Sequence, residues 1–339
     1  MATAAIYGCA GETLSSDEAA FFRDADPWGF ILFARNCGGT KQIVRLCHQL
    51  RETVARNAPI LIDQEGGRVA RLKPPLAPRR PPMDRFGELA KLDPEKAKEA
   101  AFLGAKLLAE DCRNLGIDVN CVPVLDVPQP GAHDIIGDRA LSTRAEMIGT
   151  LGRQVVDGSL AGGCLPVIKH LPGHGRALAD SHLELPRVTD DREELEEVDF
   201  APFRALADAP LGMTAHIVFD ALDPDRPATL SGTVIRDVIR EGFGFDGLLM
   251  TDDLSMKALT GRFRDRAEAS LNAGCDVVLH CNGEMAEMTD VAEGAKALEG
   301  EAARRGDAAL ALIPRDRPDF DRDGAEARFS ELLRPVITV

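Results

Sequence analysis

Residues 169–182 read KHLPGHGRALADSH and place three of the chain's seven histidines within fourteen residues. A lysine, an aspartate, a proline and two glycines lie among them. Three chemistries use such a set: phosphate binding at a glycine-rich turn, metal coordination, and proton transfer. GHGRAL imitates the start of a GxGxxG loop, but the third glycine is missing and no helical pattern follows at once. No GxxxxGK[ST] pattern occurs anywhere. His170 and His174 are four apart, which on a helix gives one face. Pro172, Gly173 and Gly175 oppose a helix there, and the glutamate of HExxH is absent. A barrel metallohydrolase collecting His170, His174, His182 and His216 with an aspartate stays open as a rival. DFDRDG (319–324) matches the first half of an EF-hand loop, but its twelfth position is Ser330, so it reads as a solvated acidic loop.

Proton transfer needs a titratable pair. Asp180 and His182 flank Ser181, so in an extended segment both side chains point to one side. A carboxylate beside an imidazole fixes its tautomer and raises its basicity. TDDLSM (251–256) offers the other half, since Asp252 ends an apolar run. A carboxylate in a pocket serves as nucleophile, base or metal ligand. A carboxylate with a separate proton donor is the toolkit of glycoside hydrolysis, here with a histidine in place of the usual second acid. Glu65 and Glu184 are next in line as proton donors.

These residues need elements to hold them. Eight short apolar runs alternate with amphipathic stretches: 4–8, 30–34, 59–63, 118–126, 165–170, 212–219, 247–253 and 276–281. Helices are expected from Ser15 or Ser16, and over 94–115, 144–161, 192–207, 231–241, 256–272 and 284–299. Alternating β and α predicts a parallel sheet covered by helices. Eight units predict an α/β chain folded as a (β/α)8 TIM-type barrel, a single domain over 1–339. A charged C-terminal segment from about residue 313 is expected to pack outside it. Five runs end in ionisable groups: Asp63, Asp126, Lys169 with His170, His216, and Asp252 with Asp253. In such a barrel these ends meet at one mouth, where catalysis occurs.

Composition narrows the partners. A net charge of −15 argues against nucleic acid and anionic membrane surfaces. No run approaches the roughly 18 to 20 apolar residues of a membrane span, and no signal peptide is expected. Eight scattered cysteines without a CxxC pair suit a reducing, cytoplasmic setting.

Eight motifs carry a resemblance: ILFARN (31–36), IDQEGGRVARL (62–72), PVLDV (123–127), IGDRALS (136–142), KHLPGHGRALADSHLELP (169–186), TAHIVF (214–219), TDDLSM (251–256) and AGCDVVL (273–279). With them the chain resembles the bacterial β-N-acetylglucosaminidases (β-N-acetylhexosaminidases) of glycoside hydrolase family 3. The resemblance covers about residues 30–280. It implies a retaining hydrolase with Asp252 as nucleophile, His182 as general acid/base and Asp180 as its orienting partner. Asp63, Arg71, Arg139, Lys169 and His170 would bind sugar hydroxyls and neighbouring groups. No metal or cofactor is implied. The implied substrate is a small carbohydrate: cell-wall fragments with terminal β-linked N-acetylglucosamine, including anhydro-muropeptides, in peptidoglycan recycling. A phosphorylase acting on the same glycosides, and a sugar-binding protein without activity, are the remaining alternatives.

Overall fold

The computed structural model describes residues 2–314, 316 and 320–337. Eight parallel strands close into a barrel in chain order: β1 (Thr3–Gly8), β2 (Pro27–Leu32), β3 (Ile60–Ile62), β4 (Val119–Asn120), β5 (Leu165–Leu171), β6 (Leu211–Thr214), β7 (Leu248–Asp253) and β8 (Val277–His280). The ring is sealed where β8 meets β1, with Ala5, Ile6 and Tyr7 opposite Val278, Leu279 and His280. The expected (β/α)8 architecture is therefore present.

Alternation along each strand sorts the core. Ile6, Ile31, Leu61, Val119, Val167, Met213, Met250 and Leu279 form one buried cluster with a member on every strand. Residues common to all strands of a closed sheet on one face fill its interior. Their neighbours Tyr7, Phe30, Ile60, Ile62 and Val278 belong to another cluster, shared with the surrounding helices. Both faces are dry, which is why the runs read as continuously apolar.

The helices obey local rules. In α1 (Ser16–Ala25) the Ser15 hydroxyl accepts from the Glu18 N–H, and the Glu18 carboxylate accepts from the Ser15 N–H, each at 3.1 Å. In α2 (Pro94–Arg113) Asp93 caps the first turn and Pro94 sits where no N–H partner is lost. In α3 (Phe263–Ala273) Gly274, at φ 115°, ends the helix in the left-handed region. The C-terminal α4 (Arg322–Leu333) lies on α2, with Phe329 against Gly104. Asp321 caps it through the Gly324 N–H, whereas Asp319 of the acidic hexapeptide lies outside the described residues.

Several boundaries differ from expectation, and proline explains two. The run 118–126 forms a continuous strand only at Val119–Asn120 and pairs again singly where Val124 meets Lys169, because Pro123 between them has no N–H to donate. The helix expected over 192–207 is interrupted between Asp199 and Ala201, next to Pro202. Within 212–219, Val218–Phe219 leaves the barrel and joins a three-stranded sheet with Arg187–Val188 and Asp223–Pro227. Met256–Arg262 forms turns, so the helix expected from 256 starts at Phe263. The helix expected over 284–299 ends at Gly294, and Ala297 pairs with Thr3.

Candidate active site

The carboxyl ends of the strands open on a cavity of about 310 Å3. Asp63, Arg71, Arg139, Lys169, His170, His182 and Asp252 all line it. Asp180 stands behind His182. All eight predicted side chains therefore meet at one mouth, although they come from five separate segments.

After β3 the chain makes a tight hairpin, Gln64–Gly66 against Val69–Ala70. It presents Asp63, Glu65 and Arg71 to the cavity. Lys169, from β5, reaches Asp63 at 3.0 Å and Glu65 at 2.7 Å. Arg71 binds the other Asp63 oxygen at 3.1 Å. Arg139 grips both Glu65 oxygens at 2.8 Å. Burial alone would raise the pKa of both acids; the adjoining Lys169, with Arg71 for Asp63 and Arg139 for Glu65, outweighs it and lowers both. The same pairs raise the pKa of Lys169 against the desolvation that opposes its charge. Glu65 is thus a fully committed anion, unsuited to donate a proton. Glu184 is exposed and does not line the cavity.

Asp126 follows β4 and is wholly buried. One oxygen accepts the N–H groups of His170 and His174, at 3.2 and 2.7 Å; the other meets His170 Nδ1 at 2.7 Å. Asp126 therefore fixes the His170 ring, whose other nitrogen is left for the cavity. His216 sits at the end of β6, with Nε2 donating to the Asp253 carbonyl at 3.0 Å and Nδ1 on the Thr229 hydroxyl at 2.7 Å. Burial lowers its pKa.

The two aspartates at the end of β7 differ in what they touch. Asp253 accepts from the N–H of Ser255 at 2.9 Å, the Ser255 hydroxyl at 2.5 Å and the N–H of Cys281 at 3.1 Å. It ties the strand end to the β8 side. Among the described residues Asp252 accepts only the N–H of Asp253, at 2.8 Å. Burial pushes the Asp252 pKa up; His170, His216, the Asp253 N–H and His182 more than compensate and lower it. It is an ionised carboxylate with one oxygen unengaged.

Across the cavity His182 is well exposed, and its Nδ1 lies 2.8 Å from Asp180 Oδ1. That oxygen also accepts the His182 N–H at 2.9 Å. The imidazole is so oriented, and among the described residues its Nε2 has no hydrogen-bond partner. Among the described residues, no group of three or more His, Cys, Asp or Glu side chains is arranged to hold a metal ion.

Residues 13–313 match the Glycosyl hydrolase family 3 N terminal domain. A beta-hexosaminidase of Xylella fastidiosa (strain 9a5c) is 36% identical over 333 residues, 96% of each chain. The chain belongs to glycoside hydrolase family 3. The crystal structure of native NagZ from Neisseria gonorrhoeae superposes with a TM-score of 0.86 at 28% identity, covering 99% of this chain and 98% of that one. NagZ from the same organism in complex with N-trifluoroacetyl-D-glucosamine matches equally well, with TM-score 0.86, 29% identity and 98% of each chain covered. This family 3 chain is a glycoside hydrolase of the β-N-acetylhexosaminidase type.

In the family 3 enzyme the loop bearing His182 has two unlike halves. The first is anchored. Gly175 lies so close to the Val127 carbonyl that an added Cβ would sit 2.0 Å from it. Gln129 donates to the Gly175 carbonyl at 3.0 Å, and Arg176 binds Asp199, Asp190 and Glu194. The second half carries the exposed Leu178, Leu183 and Leu185 around Asp180 and His182. Arg68 joins the hairpin to the IGDR segment through Asp138 and the carbonyls of 134–136. His133 is exposed, and its Nδ1 accepts from the Ile135 N–H.

His174 lies inside the anchored half, buried, with Nε2 on the Ser181 hydroxyl at 3.1 Å. Burial first, then the neighbouring His170, lower its pKa from 6.5 to about 4. The unfolded chain takes up this proton near pH 6.5 and the folded chain only near 4. Stability from His174 is therefore whole above pH 6.5, falls as pH drops through that window, and levels off below about 4. The loss amounts to ~3 kcal/mol at most. In urea titrations at pH 7 and 4.5, His174→Gln should lose less stability on acidification than the native chain. An equal loss in both would show that His174 does not carry the effect.

Proposed function

We propose that the enzyme removes terminal β-linked N-acetylglucosamine from cell-wall muropeptide fragments, with retention at the anomeric carbon. Asp252 is the nucleophile, and His182, oriented by Asp180, is the general acid/base. The observation that carries this reading is the distribution of partners among the acids. Asp63, Glu65, Asp126 and Asp253 are each held by two or more hydrogen bonds or ion pairs. Asp252 alone among these keeps an unengaged oxygen in the cavity.

In the first step the Asp252 carboxylate bonds to the anomeric carbon as the bond to the leaving oxygen breaks. His182 Nε2 gives that oxygen its proton. In the second step water passes a proton to Nε2 and attacks the glycosyl ester, which frees Asp252. Asp63, Arg71, Arg139, Lys169 and His170 hold the sugar's hydroxyls and acetamido neighbourhood. Glu65 keeps Lys169 and Arg139 in place between turnovers. The N-acetylglucosamine preference draws support from the N-trifluoroacetyl-D-glucosamine complex of the Neisseria protein. Eight free cysteines support a reducing, cytoplasmic setting for peptidoglycan recycling. Among the described residues no helix is long and apolar enough to cross a membrane.

The test is hydrolysis of an aryl β-N-acetylglucosaminide and of N-acetylglucosaminyl-anhydro-N-acetylmuramic acid, each with and without chelator and phosphate. Both should be cleaved by water with retention, unaffected by chelation. Loss on chelation restored by zinc would make the histidine cluster a metal site. A sugar phosphate as product would make the enzyme a phosphorylase.

A further inference from the structure

The side chain of Arg68 lines two cavities. One is catalytic. The other, about 400 Å3, lies between the hairpin after β3 and the proline-rich stretch that follows it. The returning hairpin strand separates them. Val69 and Arg71 line the catalytic side, while Ala70 and Leu72 line the other. This is the period-two alternation of an extended chain, so the wall is one strand thick.

Every ionisable residue of the second cavity is a cation: Arg68, Lys73, Arg79 and Arg80. Arg68 is paired with Asp138, and Arg80 with Glu326 and Asp111. Lys73 and Arg79 are exposed, and among the described residues neither makes an ion pair. What sets these two apart is that both face one cavity with Ala70 and Leu72 and no acidic residue, on a chain of net charge −15. A local positive field of this kind attracts an anion, whatever the sign of the whole molecule.

We infer that this basic cavity binds carboxylates carried by the leaving group of the substrate. The inference rests on the proposed function, in which the leaving group bears an acidic peptide. The catalytic cavity takes the sugar. A substituent passing over the hairpin tip at Gly67 and Arg68 enters the second cavity, where Lys73 and Arg79 meet its charges. Ala70 and Leu72 meet its aliphatic parts.

Steady-state kinetics of Lys73→Ala/Arg79→Ala test this. Both residues are exposed and lie outside the catalytic cavity. Three substrates are compared: an aryl β-N-acetylglucosaminide, an N-acetylglucosaminyl-anhydromuramyl peptide with free carboxylates, and the same peptide amidated. The variant should raise KM about five- to tenfold for the free-acid peptide, with kcat unchanged. High salt should produce the same rise in the native enzyme and abolish the difference. Aryl and amidated substrates should be unaffected. An unchanged KM for the free-acid peptide, or an equal rise for the amidated one, overturns the inference. So does a change in the aryl rate caused by inorganic phosphate through Lys73 and Arg79, which would make the cavity an effector site. A native enzyme that cleaves the aryl glycoside but no anhydromuramyl glycoside overturns the proposed substrate, and this inference with it. That failure is visible without any variant.

Discussion

Asp252→Asn is expected to lower kcat by about 10^4-fold or more, with folding intact. Asparagine keeps the shape and can still accept the Asp253 N–H at its amide oxygen. What disappears is the negative oxygen proposed to bond to the anomeric carbon. A 2-fluoro or 5-fluoro sugar that traps the glycosyl-enzyme should label the native chain on the peptide containing Asp252 and leave the variant unlabelled. Asp253→Asn is expected to behave differently. Its carboxylate accepts from Ser255 and Cys281, so the change loosens the end of β7 and lowers the melting temperature, by about 1–3 kcal/mol of stability. Its kcat should stay within about tenfold of native. Equal kinetic loss at both positions, or a label outside the Asp252 peptide, would sink the assignment.

His182→Ala is expected to split the two half-reactions according to the leaving group. An aryloxide of low pKa leaves with little protonation, so the first step with an aryl glycoside should survive within about tenfold. A sugar leaving group needs the proton, and its first step should fall by about 10^3-fold or more. Water attack should slow for both, so the variant should accumulate glycosyl-enzyme from the aryl substrate and show a burst. Asp180→Asn should follow the same pattern more mildly, because it disturbs the imidazole tautomer without removing the ring. Equal slowing of both first steps, with water attack unchanged, would make His182 a binding residue. Glu65 could not inherit the role without first losing its hold on Arg139 and Lys169.

The barrel was readable because its strands are buried on both faces and five of the eight runs close on an ionisable residue. Asp63, Lys169, His170 and Asp252 were visible as ionisable groups stranded at the ends of apolar runs. Their convergence then followed from the fold class alone. Other features depend on contacts across the chain. Nothing in the letters TDD distinguishes Asp252 from Asp253; the distinction lies in hydrogen bonds to Ser255 and to Cys281 on the far side of β8. Glu65 was legible as an acid but not as the partner of Arg139, which lies 74 positions away. Its signal was available, since an acid two residues past a strand end in a barrel faces the same mouth. The misplaced boundaries at 118–126 and 192–207 had Pro123 and Pro202 in plain view. Apolar periodicity runs straight through both prolines, and the missing N–H is what breaks the elements there.

The separation of Asp252 from His182 bears on how such an enzyme changes over generations. The carboxylate proposed to attack, Asp252, is set by a barrel strand and its own backbone, and Asp126 welds the neighbouring strand end to the start of the loop. The proposed proton donor, His182, sits on the outer half of that loop, sharing with the barrel few of the contacts that hold Asp252. A lineage can therefore remodel, shorten or replace the outer loop, and recruit a different acid from another peripheral segment, without rebuilding the nucleophile. Drift at Asp126 or Gly175 has no such freedom, because each is closed in by backbone. On this geometry change is easiest at the rim and hardest at the strand ends.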